Sequence, residues 1–385
     1  MKRCIKTDKG INEGELDNKM KIGQITMYGD NYGACLQAFA LQKIVEGYGH
    51  TLELLRYSSG EYSNKSYYLE TIKKIGLSGL IDYIRNYKYI KLKKKWFNDF
   101  RNKYLSFSEK TLKIHENVSD ICMEYDRFIC GSDMIWSQEF SEDWDYYFLG
   151  FANKIKSYSY APSFGKNIVS ESHKERVKEY LQDFASVSCR EMGGVELIKE
   201  ISSVDAIHVA DPTLLLTKDQ WNRYINNDDR IIGEKYVLAY LFGKNDSVRR
   251  NLIHEIAKNI GRVYSIPGNK KEYKRFPVDK IDPIDYLRLF RDAEYIVTDT
   301  FHGLMFSIIF RKPFVVLERT DTSVWAQHSD RMISALEKFG LESRYIRGGC
   351  FSLDNLVKLN YDAFEGTIQE FRNKSLDYLK TIMVK

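Results

Sequence analysis

The sequence predicts an α/β fold of two doubly wound, Rossmann-like domains that face one cleft. Three observations carry this expectation. Short apolar runs of strand character alternate with longer stretches of helical spacing, the order that builds βαβ units and a parallel sheet. The alternation runs once from Lys21 to Cys189 and starts afresh at Tyr236. At 385 residues, 43% of them hydrophobic, the chain is long enough to bury two cores.

The elements follow in order from Met20. Residues 1–19 are polar and charged, without the apolar core of a signal peptide, and Met20 stands directly before the first strand run, so 1–19 is expected to be a disordered extension. Lys21 to Met27 reads as a strand, Tyr28 to Gly33 as a turn, Ala34 to Gly47 as a helix and Leu52 to Arg56 as the second strand. The stretch 62–107 reads as an irregular helical insertion, rich in aromatics, with Lys91, Lys93, Lys94 and Lys95 beside Trp96 and Phe97. Strands return at Arg127–Cys130, Ile155–Tyr160 and Ser186–Cys189, with a helix from Ser170 to Phe184. The first domain is therefore expected to span 20–217.

The second series, 218–345, reads as strands at Tyr236–Leu241, Arg262–Ile266, Tyr295–Thr298 and Pro313–Leu317, separated by helices at Val248–Asn259, Pro283–Arg291 and from His302 to Phe310. A helix from Arg331 to Phe339 follows. The tail 346–385, helical from Tyr361 to Met383, is expected to pack back toward the first domain.

Composition excludes several function classes. The net charge of +5, from 58 basic and 53 acidic side chains, is too even for a nucleic-acid binder. Cys4, Cys35, Cys122, Cys130, Cys189 and Cys350 are scattered, with no Cys-x-x-Cys pair for structural zinc, and read as reduced thiols of a cytoplasmic protein. No apolar run approaches the roughly 20 residues of a membrane span. The basic, aromatic stretch Lys88 to Tyr104 reads either as a solvated helix face or as a peripheral contact with the membrane surface or a lipid-linked substrate. Asp143-Trp144-Asp145 is too short a pattern to carry a metal site, and no metal is expected.

In open α/β sheets ligands bind beyond the carboxyl ends of the strands, so the turns there are where function is sought. Four qualify. Asp30, Asn31 and Gly33 follow the first strand and offer a helix amino terminus to an anion or a sugar hydroxyl, or simply cap that helix; the turn is neither Gly-x-Gly-x-x-Gly nor a Walker loop, so dinucleotide or NTP binding is not supported. Asp133 and Trp136 follow the strand ending at Cys130. A carboxylate there can serve as acid or base, and Trp136 is a candidate sugar contact or a core residue. Arg190 ends the strand Ser186–Cys189, where its fork suits a carboxylate or phosphate, with a salt bridge to Glu191 as the alternative. Thr300, His302 and Gly303 follow Thr298. A histidine at a helix amino terminus suits phosphate, and Gly303 would let a ligand come close.

Taken together these segments resemble the polysaccharide pyruvyl transferase family. The resemblance rests on Asn31-Tyr32-Gly33-Ala34 with Leu36-Gln37-Ala38, on Gly131-Ser132-Asp133 with Trp136, and on Tyr160-Ala161 to Ser163-Phe164-Gly165. It continues through Ser188 to Glu191 with Gly194, Asp211-Pro212-Thr213-Leu214, and Thr298-Asp299 to Phe301-His302-Gly303 with Phe306-Ser307 and Lys312-Pro313-Phe314. It implies a GT-B-like fold and transfer of pyruvate from phosphoenolpyruvate to a sugar, free or on a lipid-linked oligosaccharide, as a ketal, with no cofactor. By the resemblance, His302 and Arg190 would contact phosphoenolpyruvate and Asp133 would do acid/base work. One branch of the family has arginine two positions before the histidine; Thr300 stands there here, and Arg331 is the candidate to replace it. A nucleotide-sugar glycosyltransferase and a non-catalytic glycan-binding protein stay open as alternatives.

Overall fold

The computed structural model describes residues 19–58, 87–225, 232–243, 246–258, 260–266, 274–275, 281–319, 329–348 and 358–384. Residues 1–18 of the expected extension and 62–86 of the expected insertion lie outside the described residues.

Two parallel sheets organise the chain. In the first, β1 (Lys21–Ile25), β2 (Thr51–Tyr57), β3 (Phe107–Leu112), β4 (Arg127–Cys130) and β5 (Ser157–Ser159) lie in the order β3-β2-β1-β4-β5. β6 (Val187–Cys189) and β7 (Ala206–His208) pair with each other, and a bridge from Tyr158 to Ser186 joins them to β5. The second sheet runs β10-β9-β8-β11-β12-β13, from β8 (Tyr236–Tyr240), β9 (Arg262–Ser265), β10 (Lys274–Arg275), β11 (Tyr295–Thr298), β12 (Phe314–Leu317) and β13 (Tyr345–Ile346). Its central strands Tyr-Val-Leu-Ala-Tyr, Tyr-Ile-Val-Thr and Phe-Val-Val-Leu are buried at every position. Helices cover both faces of such a sheet, so these strands read as continuous apolar runs rather than alternating ones.

The insertion ends sooner than expected. Its described helix covers 87–104, and Phe107–Leu112 is a strand on the edge of the first sheet, with Leu54 opposite Phe107 and Tyr57 opposite Leu112. Only one face of this edge strand is needed by the core, and its Ser-Glu-Lys-Thr centre shows no apolar run.

Both sheets have a switch point where strand order reverses, between β1 and β4 in the first and between β8 and β11 in the second. Crossovers leave in opposite directions there, which opens a crevice beyond the strand ends. The two crevices face each other across a seam closed by aromatic packing. Tyr32, on the helix Tyr32–Gly47, stacks on Tyr286 with centroids 4.6 Å apart and donates its hydroxyl to the Ile281 carbonyl at 2.9 Å. Trp221, in the connection between the sheets, lies 5.5 Å from Phe306. Burying rings of this size stabilises the seam by about 2 kcal/mol each.

The closing helix Glu365–Ile382 lies on the first domain. Tyr378 Oη donates to the Ser159 carbonyl at 2.9 Å, Ser375 Oγ accepts from Ala210 N at 2.8 Å, and Arg372 Nε donates to the Leu214 carbonyl at 2.7 Å. Leu379 and Ile382 are fully buried beneath it.

Candidate functional site

Each wall of the cleft is built by a strand end that turns sharply into a helix. After β1, Asn31 caps the helix Tyr32–Gly47 by accepting from Ala34 N at 3.2 Å. After β11, Thr300 caps the helix Phe301–Ile309, accepting from Gly303 N at 3.0 Å. The fully buried Asp299 stitches this turn to the end of β8, taking N–H groups of Phe242 and Gly243 at 2.7 Å each and Arg249 Nη1 at 3.0 Å. Two helix amino termini, each with positive dipole character, thus meet at one place.

The cavity between them measures about 820 Å³ and is lined from both sheets: Asn31 after β1, Asp133 after β4, Tyr240 and Phe242 at the end of β8, Thr300 to His302 after β11, and Arg319 after β12. Arg331, from the helix Asp330–Lys338, completes the wall. Tyr28, Tyr57, Phe140 and Tyr147 give the first-domain side an aromatic surface.

His302 enters from the second domain and packs against the first. A Cβ placed on Gly33 would lie 2.0 Å from His302 Nδ1, so the glycine is required by the ring rather than by its own turn. On its other side Nε2 is 3.5 Å from Oδ2 of Asp211, which is fully buried. That same oxygen accepts from Arg190 Nη1 at 2.9 Å, while Oδ1 accepts from Thr213 N and Oγ1 at 2.9 and 2.7 Å. Burial alone would raise the Asp211 pKa, yet His302, Arg190 and the Thr213 hydroxyl together hold it well below the usual carboxylate range. It is an anion at any working pH.

The positive charges are not fully matched. Arg190 is buried, and its Nε and Nη2 have no partner although Nη1 serves Asp211. Its guanidinium sits 4.3 Å from the centroid of Phe301, and that of Arg331 lies 5.7 Å from the same ring. Arg331 Nε also lacks a partner. Burial first, then the neighbouring cations Arg190 and Arg319, pull the Arg331 pKa down to about 9. Its surface is half-buried, lining the cavity, while its Nε is sealed; the depressed value reflects the loss of water around the cation first and the crowding by Arg190 and Arg319 second. An anion in the cavity would relieve that crowding.

Asn31, Asp133, Thr300, His302 and Arg331 therefore share one cavity, with Arg190, Gly33 and Gly303 close behind its lining. Asp133 has φ +74°, left-handed and uncommon for a residue with a side chain, and its Oδ1 takes Met134 N at 2.9 Å. Three expectations are corrected. Trp136 is a core residue, fully buried, stacked on Phe148 at 4.8 Å and donating Nε1 to the Tyr147 carbonyl at 3.2 Å. Asp30 does not line the cavity and pairs with Arg101 at 3.0 Å, leaving Asn31 as the cap. Gly303 is required by its own turn, because a Cβ there would meet Thr298 Oγ1 at 2.1 Å and Thr300 Oγ1 at 2.6 Å. The alternative partner for Arg190 is also settled: it takes Asp211, and Glu191 accepts from Phe164 N at 2.9 Å instead.

Asp211 and Arg319 were not singled out as site residues by the sequence. An Asp before Pro212 and Thr213 carries the signal of a helix cap, which it also is. Arg319 follows β12, and the strand-end rule that found the other turns applies to it equally. Among the described residues no group of three or more His, Cys, Asp or Glu is placed to hold a metal ion, and no helix is long and apolar enough to cross a membrane.

Comparison with known proteins places this geometry. UDP-N-acetylglucosamine 2-epimerase from Rickettsia bellii superposes with a TM-score of 0.52 at 11% identity, over 95% of this chain and 96% of that one. The Methanocaldococcus jannaschii UDP-GlcNAc 2-epimerase, in complex with UDP-GlcNAc and UDP, gives 0.48 at 12% identity over 95% and 99%, and a glycosyltransferase from Rickettsia africae gives 0.44 at 10% over 95% and 99%. At such identity the first likeness shows the fold alone, which is of the two-domain GT-B type. No curated protein matches the sequence. A family model described as Polysaccharide pyruvyl transferase matches residues 31–321, a span that begins at the cap of the first helix and ends beyond Arg319. Because that match covers most of the chain, from the first helix through β12, the chain belongs to the polysaccharide pyruvyl transferase family.

Proposed function

We propose that the cavity binds phosphoenolpyruvate and a sugar together and transfers the pyruvyl group to two sugar hydroxyls as a ketal. The observation that carries this reading is the surplus of buried positive charge: Arg190 and Arg331 keep unpaired N–H groups around Phe301, beside the two helix amino termini. A small, multiply charged donor with a phosphate and a carboxylate supplies the counter-charge and matches the guanidinium forks. The aromatic surface of Tyr28, Tyr57 and Tyr147 suits the C–H face of a sugar ring.

The chemistry asks for proton transfer and charge neutralisation, and no cofactor is part of it. A proton added to the donor's methylene carbon leaves a cationic centre at the neighbouring carbon. One hydroxyl attacks there and loses its proton. Phosphate departs with the C–O electron pair and takes up a proton, and the second hydroxyl closes the ketal as it loses its own. His302 and Asp133 are the cavity-lining groups able to carry these protons, and Arg190 and Arg331 offset the charge on the departing phosphate. Thr300 is committed to capping its helix, so in this reading Arg331 supplies the cation that part of the family places at that position.

The protein then acts in the cytoplasm, and a lipid-linked acceptor would bring it to the membrane surface. Incubating the purified protein with phosphoenolpyruvate or with a nucleotide sugar, each with candidate acceptors, tests the reading. Phosphate release with acceptor and phosphoenolpyruvate supports it. Transfer from the nucleotide sugar overturns it in favour of a glycosyltransferase.

A further inference from the structure

Asp211 joins the two domains behind the cavity-lining His302. Oδ1 is fully occupied by Thr213, through N at 2.9 Å and Oγ1 at 2.7 Å. Oδ2 is therefore the oxygen open to other groups, and three converge on it: Arg190 Nη1 at 2.9 Å, Ser132 Oγ at 3.4 Å and His302 Nε2 at 3.5 Å. Across the imidazole, Nδ1 abuts Gly33, between the cavity-wall residues Asn31 and Ala34 in sequence. The ring is thus clamped between a carboxylate of the first domain and the backbone of the first helix, although it belongs to the second.

We propose that Asp211 is a positioning residue, which fixes the His302 ring with Nε2–H toward its own Oδ2 and so leaves Nδ1 as the nitrogen that exchanges protons at the cavity. The inference rests on reading the cavity as the site of pyruvyl transfer. An ionised carboxylate only accepts hydrogen bonds, so the nitrogen facing it must carry the proton. The bond made by one imidazole nitrogen decides what the other can do. A separation of 3.5 Å is long for a hydrogen bond, as bonds within a catalytic group commonly are until substrate closes the site. Ionisation of Asp211 is favoured by the same neighbours, His302 first and then Arg190 and Thr213, which hold it charged despite its burial. The arrangement also couples the domains: His302 is in register only while the first domain presents Asp211 and Gly33 together.

The test uses the full chain with imidazole-labelled histidine. The His302 resonances are identified by their loss in His302→Ala, and their nitrogen shifts report the tautomer of the neutral ring. The wild type is expected to show Nε2–H, and Asp211→Asn, whose amide can present its N–H instead, is expected to lose that preference. In turnover, Asp211→Asn should lower kcat by at least about 100-fold, the scale on which a wrong tautomer acts, with the KM for phosphoenolpyruvate changed less than about 3-fold. The double variant with His302→Ala should be no worse than His302→Ala alone. A wild-type ring in the Nδ1–H form overturns the proposal, and that measurement stands even where Asp211→Asn does not fold. Independent, multiplying losses in the double variant also overturn it, leaving Asp211 as a support for Arg190 only. Should the wild type show no turnover with phosphoenolpyruvate, the functional reading fails while the tautomer still decides the role of Asp211.

Discussion

Gly33 and His302 belong to different domains, yet the glycine Cα leaves the imidazole so little room that a methyl group would sit 2.0 Å from Nδ1 and 2.3 Å from Cγ. The first helix and the histidine turn are therefore matched surfaces. Gly33→Ala is expected to push the ring off Asp211 or to part the domains there. Overpacking of this kind costs about 1–3 kcal/mol, and lost ring placement should lower turnover by at least about 10-fold. Thermal unfolding and turnover of the one variant check both effects, and a wild-type value for each would show that the ring tolerates the methyl.

His302→Ala and Arg190→Ala are each expected to lower turnover by at least about 100-fold, the scale of contacts made in a transition state. Their stability effects should differ. Arg190→Ala strips the buried Asp211 of its nearest cation, at 2.9 Å, and breaking a buried pair from one side costs about 3–5 kcal/mol. His302 is partly open to the cavity, so its loss should change the unfolding midpoint far less. Denaturant melts beside initial rates separate the two.

Arg331 is expected to act on the donor alone. Its cation is crowded by Arg190 and Arg319 and lacks a partner at Nε, so Arg331→Ala should relieve strain in the empty protein while weakening donor binding. Arg331→Lys should not restore affinity, because a point charge does not reproduce the fork. Calorimetric titration with phosphoenolpyruvate measures this directly: unchanged affinity in Arg331→Ala would remove the residue from the donor site.

How much of this was legible in the sequence depends on what each residue faces. The apolar runs of β4, β8, β11 and β12 are central strands buried on both sides, and their composition announces them. β3 and β7 are edge strands whose Lys, Glu and exposed Ile207 answer to solvent, so no apolar run marks them. Strand ends led to Asn31, Asp133, Arg190 and His302 because topology alone puts ligands there. Side-chain direction is another matter. Trp136 follows the same strand as Asp133 but turns inward to Phe148, and Asp211 carries a cap signal that hides a second duty toward His302.

His208 gives a pH dependence of known sign. Burial pulls its pKa down to about 4, and its Nε2 lies 3.1 Å from the Arg190 carbonyl, to which a neutral ring can donate. The folded state then binds fewer protons than the unfolded one, where the ring titrates near 6.5, so stability is lost as pH falls from about 6.5 toward 4. Between pH 7.5 and 5 the linkage amounts to about 2 kcal/mol. Glu191 works the other way, because burial raises its pKa and its neutral form favours the fold at low pH. Asp211 contributes nothing in this window, since its depressed value places its effect below the ordinary carboxylate range. Urea melts of the wild type and His208→Gln at both pH values isolate the imidazole, and equal pH slopes for the two proteins would contradict the assignment.

The basic helix 87–104 bears on where the reaction takes place. Lys88, Lys91, Lys94 and Lys95 are exposed on it, with Tyr87, Ile90 and Leu92 exposed among them, and none of the four lysines has an ion-pair partner among the described residues. The helix is tied to the cavity rim, since Arg101 Nη1 donates to the Tyr28 carbonyl at 3.1 Å and Lys93 sits 5.5 Å over the Tyr32 ring. Lysines near an anionic bilayer contribute about 1 kcal/mol each, and salt screens the attraction over about 10 Å at 0.1 M. The protein should therefore sediment with vesicles containing anionic phosphatidylglycerol and not with phosphatidylcholine alone, and should be released as salt rises. Reversing Lys88, Lys91, Lys94 and Lys95 to glutamate should abolish sedimentation while leaving turnover of a soluble acceptor within about 2-fold, because none of the four lines the cavity. Equal binding by the reversed protein would mean that these four lysines make no contact with the bilayer.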